Sequence, residues 1–425
     1  MKNKTLKVFE SFSGYGSQRM ALRNIGVDFE SVGISEVDIP AILSYASIHD
    51  GLDVEDETFV YPPKEEMVKF LEDRNIGLDF KTKKVKLPKN LGKLQQLYRA
   101  VVISKCYGDV CLLNPQELPD MDLFTYSSPC QDFSVAGKQK GAIRGQTRSG
   151  LLYECEKIIE AKRPRYLLME NVKNLVGKKF KEQFDEWLEY LESLGYTNYW
   201  SVLNAKDFGV PQNRERVFCI SILKEYDKNF EFSVESGCSY TLRDILDKDV
   251  DERYYTDTDR AKQLIKQLCE TGQIIGDVVP CDNTICENVC IDDAVGFDGV
   301  RTYDGHVPTL RANRSGLKVF EQKRIGGMFD DEKGKHQAGS VWDVDGLAPT
   351  LDTMQGGWRQ PCIINEPNYR IRKLTPLECW RLMGCSDEDF YKAKLFNSDS
   401  QLYKQAGNSI VVDVLEGIFC NLFNK

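Results

Sequence analysis

Short apolar runs and longer amphipathic stretches alternate along the first half of the chain. Residues 5–12, TLKVFESF, read as a strand. A polar, glycine-bearing turn follows, Ser13-Gly14-Tyr15-Gly16-Ser17, and then QRMALRNIG, which has helical spacing and stops at Gly26. FESVGIS reads as a second strand ending just before Glu36. Three helical stretches come next: IPAILSYASIHD, KEEMVKFLEDRNIG and KLQQLYRAVVISK, the last two flanking a basic, solvated loop, KTKKVKLPKN. The apolar run MDLFTYS (121–127) predicts a buried strand that Ser, Ser and Pro terminate. A helix (LLYECEKIIEAKR), a strand (YLLME), a helix (KFKEQFDEWLEYLESLG) and a strand (YWSVLNA) follow, then a turn and strand in FGVPQNRERVFCISI. Strand and helix in alternation predict an α/β, doubly wound, Rossmann-like domain.

The texture changes near residue 235. Helical periodicity fades after KQLIKQLCE, and β-branched residues, Gly and Asp predominate. Two segments echo each other, DGHVPTLRANRSG (304–316) and DGLAPTLDTMQGGWRQP (345–361). Each reads as an Asp-Gly turn, a Pro-Thr-Leu strand and a loop bearing Gly and Arg. A smaller β-rich domain over 236–399 is expected. The first domain then comprises 1–235 plus 400–425, because the apolar stretch in QAGNSIVVDVLEGIFCNLF suits a last helix packed back on it, with Gly407-Asn408-Ser409 at its start.

Composition narrows the function classes. The chain has 425 residues, more than one ordinary core, with 41% hydrophobic and 28% charged residues, as in a soluble globular protein. It has no uninterrupted run of about 18 apolar residues, and the start is too polar for a signal peptide. Fourteen cysteines without an export signal imply a reducing, cytoplasmic setting and free thiols. The net charge of −9 leaves room for one basic face but not a uniformly basic protein. His49, His306 and His336 are scattered, which argues against a His-based triad or a zinc site. CDNTICENVC lacks a fourth ligand and a C-x-x-C step, so no metal is expected.

Candidate chemistry sits where strands end. Gly14 and Gly16 let a ligand approach the backbone at the first strand-to-helix turn, but Arg19 stands where a dinucleotide fingerprint has its third glycine. That favours a cofactor without a pyrophosphate. Glu36, at the end of the second strand, is placed for ribose hydroxyls, and Asp109 suits an adenine amine. Pro129-Cys130 opens the loop after the 121–127 strand, and Lys138, Lys140, Arg144 and Arg148 follow in it, a thiol beside a basic loop. Glu170 ends the next strand, so a right-handed crossover brings a carboxyl and a thiol to one cleft. A carboxyl beside a thiol suits attack on a ring that takes up a proton as it is attacked. Arg214 and Arg216 alternate along an extended segment and would share a face. In the β-rich region Arg311, Arg314, Gln355, Trp358, Arg359 and Gln360 are of types that read base edges.

Together FSGYG, Glu36, GDV, PCQ-x-FS, ENV, Q-x-R-x-R, the RKLTP helix and GNS resemble, in identity and order, the DNA (cytosine-5) methyltransferase family of bacterial restriction-modification type. The resemblance covers roughly residues 5–220 and 370–425. It implies S-adenosylmethionine as cofactor, double-stranded DNA as substrate and the β-rich segment as a target-recognition domain. It further implies that the target cytosine is flipped out, that Cys130 attacks its C6, that Glu170 holds N3, and that Arg216, with Arg214 beside it, holds O2. Phe12, Gly14, Gly16, Glu36, Asp109, Pro129, Leu151 and Asn408 would line the cofactor site. Lys138, Lys140, Arg144, Arg311, Arg314, Gln355, Trp358 and Arg359 would face DNA. A monomer is expected, with any cognate restriction endonuclease acting independently. Two features depart from the pattern. The stretch between Glu36 and Gly108 is long, and Ala136 stands where some members carry a polar residue that enters the vacated base stack. An RNA cytosine methyltransferase, a silent DNA-binding homologue and an NAD enzyme are the competing readings.

Overall fold

The computed structural model describes residues 5–127, 149–233, 240–270, 324–330, 334–354, 358–365 and 370–423. Strand β1 (Leu6–Ser11), helix α1 (Ser17–Asn24), strand β2 (Phe29–Ser35) and helix α2 (Ile39–His49) open the chain. Gly26, with φ +67°, ends the α1 turn where a glycine is needed. Helix α3 (Lys64–Glu72), a short hairpin of β3 (Leu78–Asp79) and β4 (Lys84–Val85), and helix α4 (Leu91–Ile103) form the long insert. Then come β5 (Leu123–Tyr126), α5 (Leu152–Lys162), β6 (Tyr166–Val172), α6 (Lys181–Ser193), β7 (Tyr196–Asn204) and β8 (Glu215–Leu223).

Six of these strands form one sheet in the order β2-β1-β5-β6-β8-β7. β2, β1, β5 and β6 are parallel, while β8 runs antiparallel to both its neighbours. The carboxyl ends are level: Ser11 pairs with Tyr126, and Tyr126 with Met169. The expected adjacency of the two central strands, joined by α5, is therefore observed. Apolar side chains cover both faces, one with Val8, Met20, Ile220 and Leu415, the other with Phe9, Phe124, Ile159 and Trp187.

The remaining strands, β9 (Tyr255–Thr256), β10 (Arg324–Gly327), β11 (Ser340–Trp342), β12 (Cys362–Asn365) and β13 (Arg370–Lys373), make a second sheet, β10-β11-β12-β13-β9. Helix α7 (Asp259–Glu270) packs its Ala261, Leu264 and Leu268 against it. Four helices follow: α8 (Pro376–Arg381), α9 (Asp387–Lys394), α10 (Asp399–Asn408) and α11 (Val412–Phe423). All four contribute to the first core, with Tyr15 stacked on Trp380 at 4.4 Å and Asn24 bonded to Glu416.

Three expectations change. The boundary at 399 falls too late, because α8 and α9 bury Trp380, Met383 and Phe390 with Tyr15 and Met20 in the first core. Gly407 and Asn408 end α10 instead of starting the last helix, which begins at Val412. Pro349-Thr350-Leu351 forms no strand of the second sheet. Residues 348–351 lie instead along 211–214, with Gln212 bridged to Ala348 and Thr350 Oγ1 donating to the Asn213 carbonyl. Residues 399–423 have the length and apolarity of a membrane span, yet Val412, Val414, Leu415, Ile418 and Phe419 are buried against the core.

One buried ion pair ties β13 to α8. Arg372 and Glu378 are both fully buried and bidentate at 2.8 Å, and Glu378 also accepts from the Thr375 and Asp247 N–H groups. Removing one partner of such a pair costs about 3–5 kcal/mol. Arg372→Met is expected to lower unfolding free energy by that amount in urea titrations. The double variant Arg372→Met, Glu378→Gln, which leaves no stranded charge, should recover most of it.

Candidate active site

The site is built at the carboxyl ends of β2, β1, β5 and β6. After Ser11 the chain turns sharply: Phe12 adopts a left-handed backbone, φ +57°, and its N–H donates to the Ser35 carbonyl. Gly14 (φ +57°) and Gly16 (φ +85°) complete the turn. A side chain at Gly16 would strike His49 Nε2 at 2.5 Å, whereas one at Gly14 would meet nothing, so Gly14 faces open space. Arg19, at the missing third glycine, bonds Asp50 at 2.7 Å and lies over the Tyr45 ring, which makes it part of the frame.

Glu36 is fastened to this turn. Its Oε2 accepts from Gly14 N–H at 3.1 Å, and its Oε1 from Val37 and Asp38 N–H. Burial, with the Asp38 charge adding to it, raises its carboxyl above the usual range. Asp109 is buried, and its Oδ1 accepts from Cys111 N–H. Phe12 and Leu151 pack half-buried against the same apolar cluster as Val110. Asn408 is exposed at the end of α10. Ser409, next to it, lies close enough to the Tyr15 hydroxyl to influence it, which sets the Gly407–Ser409 stretch beside the first turn. Buried Ser13 Oγ has no partner among the described residues. A glycine turn open at Gly14, two carboxylates, an apolar wall and a spare buried hydroxyl fit an adenosyl cofactor carrying no phosphate.

Glu170, near the end of β6, faces Arg216 at the start of β8, with Arg216 Nε 3.2 Å from Glu170 Oε1. Antiparallel pairing sets this up: Glu170 is opposite Phe218, and Arg216 projects two residues away on the same face. Burial raises the Glu170 carboxyl above its ordinary range, while Arg216 and Arg214 pull it back down. Arg214 is held differently from Arg216. It precedes the strand, is nearly fully buried, and donates to three carbonyls: Leu351, Gly407 and Ser409. It fixes these segments to one another, and its charge also acts on the Glu170 carboxyl.

Pro129, Cys130, Lys138, Lys140, Arg144, Arg311, Arg314 and Gln355 lie outside the described residues. Of the expected base readers that are described, Arg359 is exposed, but Trp358 is packed. Its ring lies 6.2 Å from Phe329 with Lys373 Nζ 4.0 Å from its centroid, which makes it part of the second core. Burial pushes the thiols of Cys106, Cys219 and Cys362 up to about 12, a range unsuited to a nucleophile at neutral pH. Sequence reasoning missed Gln212 and Asn75. Gln212 is fully buried and joins Leu382 to Leu351. The Q-x-R-x-R spacing already contained it. Asn75 sits in a stretch that reads as helix, and nothing in the pattern marked it.

Comparison with known proteins bears on this arrangement. The profile of C-5 cytosine-specific DNA methylases matches residues 77–424. The type II methyltransferase M2.ScrFI of Lactococcus lactis subsp. cremoris is 40% identical over 423 residues, 99% of each chain. The orphan methyltransferase M.SssI of Spiroplasma monobiae is 40% identical over 436 residues, 98% of this chain and 97% of the relative. Among solved structures, the S. pombe Dnmt2 methyltransferase is similar with a TM-score of 0.55 at 16% identity, covering 99% of this chain and 98% of that one, a likeness of fold.

Proposed function

The chain belongs to the C-5 cytosine-specific DNA methylase family, and from that premise we propose that it methylates cytosine within one short sequence of double-stranded DNA through a covalent Cys130 adduct on an extruded base. The observation that carries the chemistry is the Glu170–Arg216 pair, at the end of the strand beside the one that leads to Cys130. A cytosine ring resists attack at C6 unless the developing charge is relieved at N3. A half-buried carboxyl with a raised pKa can supply that proton. Arg216 is near enough to share O2 of the same base while holding Glu170 in place. Cys130 as thiolate forms the bond to C6 while Glu170 gives its proton to N3. C5, now nucleophilic, would take up the methyl group. Loss of the C5 proton to solvent, with expulsion of the Cys130 thiolate and return of the N3 proton to Glu170, would restore the ring. The extrusion itself is required because C5 and C6 are enclosed in the stack.

S-adenosylmethionine supplies a methyl group activated by its sulfonium. Phe12, Gly14, Gly16, Glu36, Asp109, Pro129, Leu151 and Asn408 would hold it, Glu36 at the ribose hydroxyls and Asp109 at the adenine amine. The basic residues Lys138, Lys140 and Arg144 would meet phosphates, and the second sheet, through Arg311, Arg314, Gln355 and Arg359, would read bases. The relatives include both type II and orphan methyltransferases. Protection of host DNA against a cognate endonuclease is therefore one biological setting, and solitary methylation the other.

Bisulfite sequencing of plasmid from a methylation-free host expressing the chain tests this reading. Cytosines of a single short motif should resist conversion. Complete conversion everywhere, with no transfer of labelled methyl to duplex in vitro, would overturn it.

A further inference from the structure

Helix α3 of the insert ends in a turn that bonds the Asp109 carboxylate and the backbone beside Glu36. Asn75 has a left-handed backbone, φ +53°, which Asn tolerates better than most residues. Its N–H returns to the Glu72 carbonyl, and the next residue, buried Ile76, donates to Leu71, so the turn is anchored in the insert's own core. From this position Asn75 Nδ2 donates to Asp109 Oδ2 at 2.9 Å. The Asp109 N–H donates to the Arg74 carbonyl, and a side chain at Gly108 would meet that carbonyl at 2.1 Å. Two residues further on, Gly77 N–H donates to the carbonyl of Val37, the neighbour of Glu36.

We propose that Asn75 is a positioning residue of the cofactor site, its side-chain amide orienting the Asp109 carboxylate for the adenine amine. This rests on the adenosyl-cofactor reading above. Asp109 Oδ1 is held by the Cys111 N–H and Oδ2 by Asn75, so the plane of the carboxylate is fixed from two sides. Each carboxylate oxygen has a second acceptor direction. A carboxylate already in plane loses less freedom when an amine donates to it. The insert is then a wall of the site and not an ornament beside it.

Asn75→Gly tests this cleanly, because glycine keeps the left-handed backbone and removes only the amide. Titration calorimetry should compare S-adenosylhomocysteine with its inosine analogue, which lacks the amine. For the variant, the dissociation constant of S-adenosylhomocysteine should rise about 5-fold, roughly one hydrogen bond. The analogue's constant should stay at the wild-type value. In methyl transfer the KM for S-adenosylmethionine should rise while kcat and the KM for DNA hold. Equal weakening of both ligands, or no change in either, overturns the proposal and leaves the cofactor reading intact. Failure of the wild-type chain to bind S-adenosylhomocysteine overturns the cofactor reading and this inference together.

Discussion

Cys130→Ala should abolish methyl transfer while leaving DNA binding in place. Loss of the nucleophile from an enzyme that depends on covalent addition costs on the order of 10⁶ in turnover. Burial raises the thiols of Cys106, Cys219 and Cys362 to about 12, which makes them poor substitutes for the nucleophile. Alanine removes neither a positive charge nor a residue of the Glu170–Arg216 pair. Labelled methyl transfer should therefore fall to background, with duplex affinity in a mobility-shift assay within about threefold of wild type, less than one hydrogen bond to a charged group is worth. Transfer persisting within tenfold of wild type would falsify the covalent route.

Glu170→Gln is expected to lower kcat by about 10²–10⁴-fold, the usual worth of a positioned acid or base. The amide can still donate to the base but cannot deliver a proton to N3. Its pH profile should change shape as well. On the proposed route, wild-type activity is expected to need the Cys130 thiolate and to fall as pH climbs through the Glu170 pKa, which burial sets above the ordinary carboxyl range. That route makes the protonated carboxyl the active form, so its loss is expected on the alkaline side. In Glu170→Gln the descending limb should vanish and the rising limb remain. Two unchanged limbs in the variant would assign the acid to another group.

Much of this was legible in the chain because it rests on local rules. The β1–turn–α1 opening follows from an apolar run broken by glycines, and β2 begins and ends where FESVGIS does. The closeness of β5 and β6 follows from the handedness of a single helical crossover, which brought Glu170 to the right edge without any contact being visible. What escaped depended on contacts between distant segments. The period-two argument put Arg214 beside Arg216, but β8 starts at Glu215, and Arg214 turns to carbonyls 137 to 195 positions away. Asn75 was hidden because KEEMVKFLEDRNIG keeps helical composition past Glu72, where the chain instead turns through left-handed Asn75 and Gly77. Trp358 has the chemistry of a base reader, and what its chemistry did not reveal is that its half-buried ring packs beside Phe329.

The packing of α11 against α1 also sets a timetable for biosynthesis. Asn24 and Glu416, which bond across this contact, are 392 positions apart in the chain. At roughly 5–20 residues per second, the ribosome releases the second member about 20–80 s after the first. Through that interval Met20, Ala21 and Leu22 on α1, and Tyr15 awaiting Trp380, lack the part of their native cover that α8 and α11 supply. The cofactor turn between β1 and α1 is thus among the earliest parts of the molecule to be made and among the last to be completed.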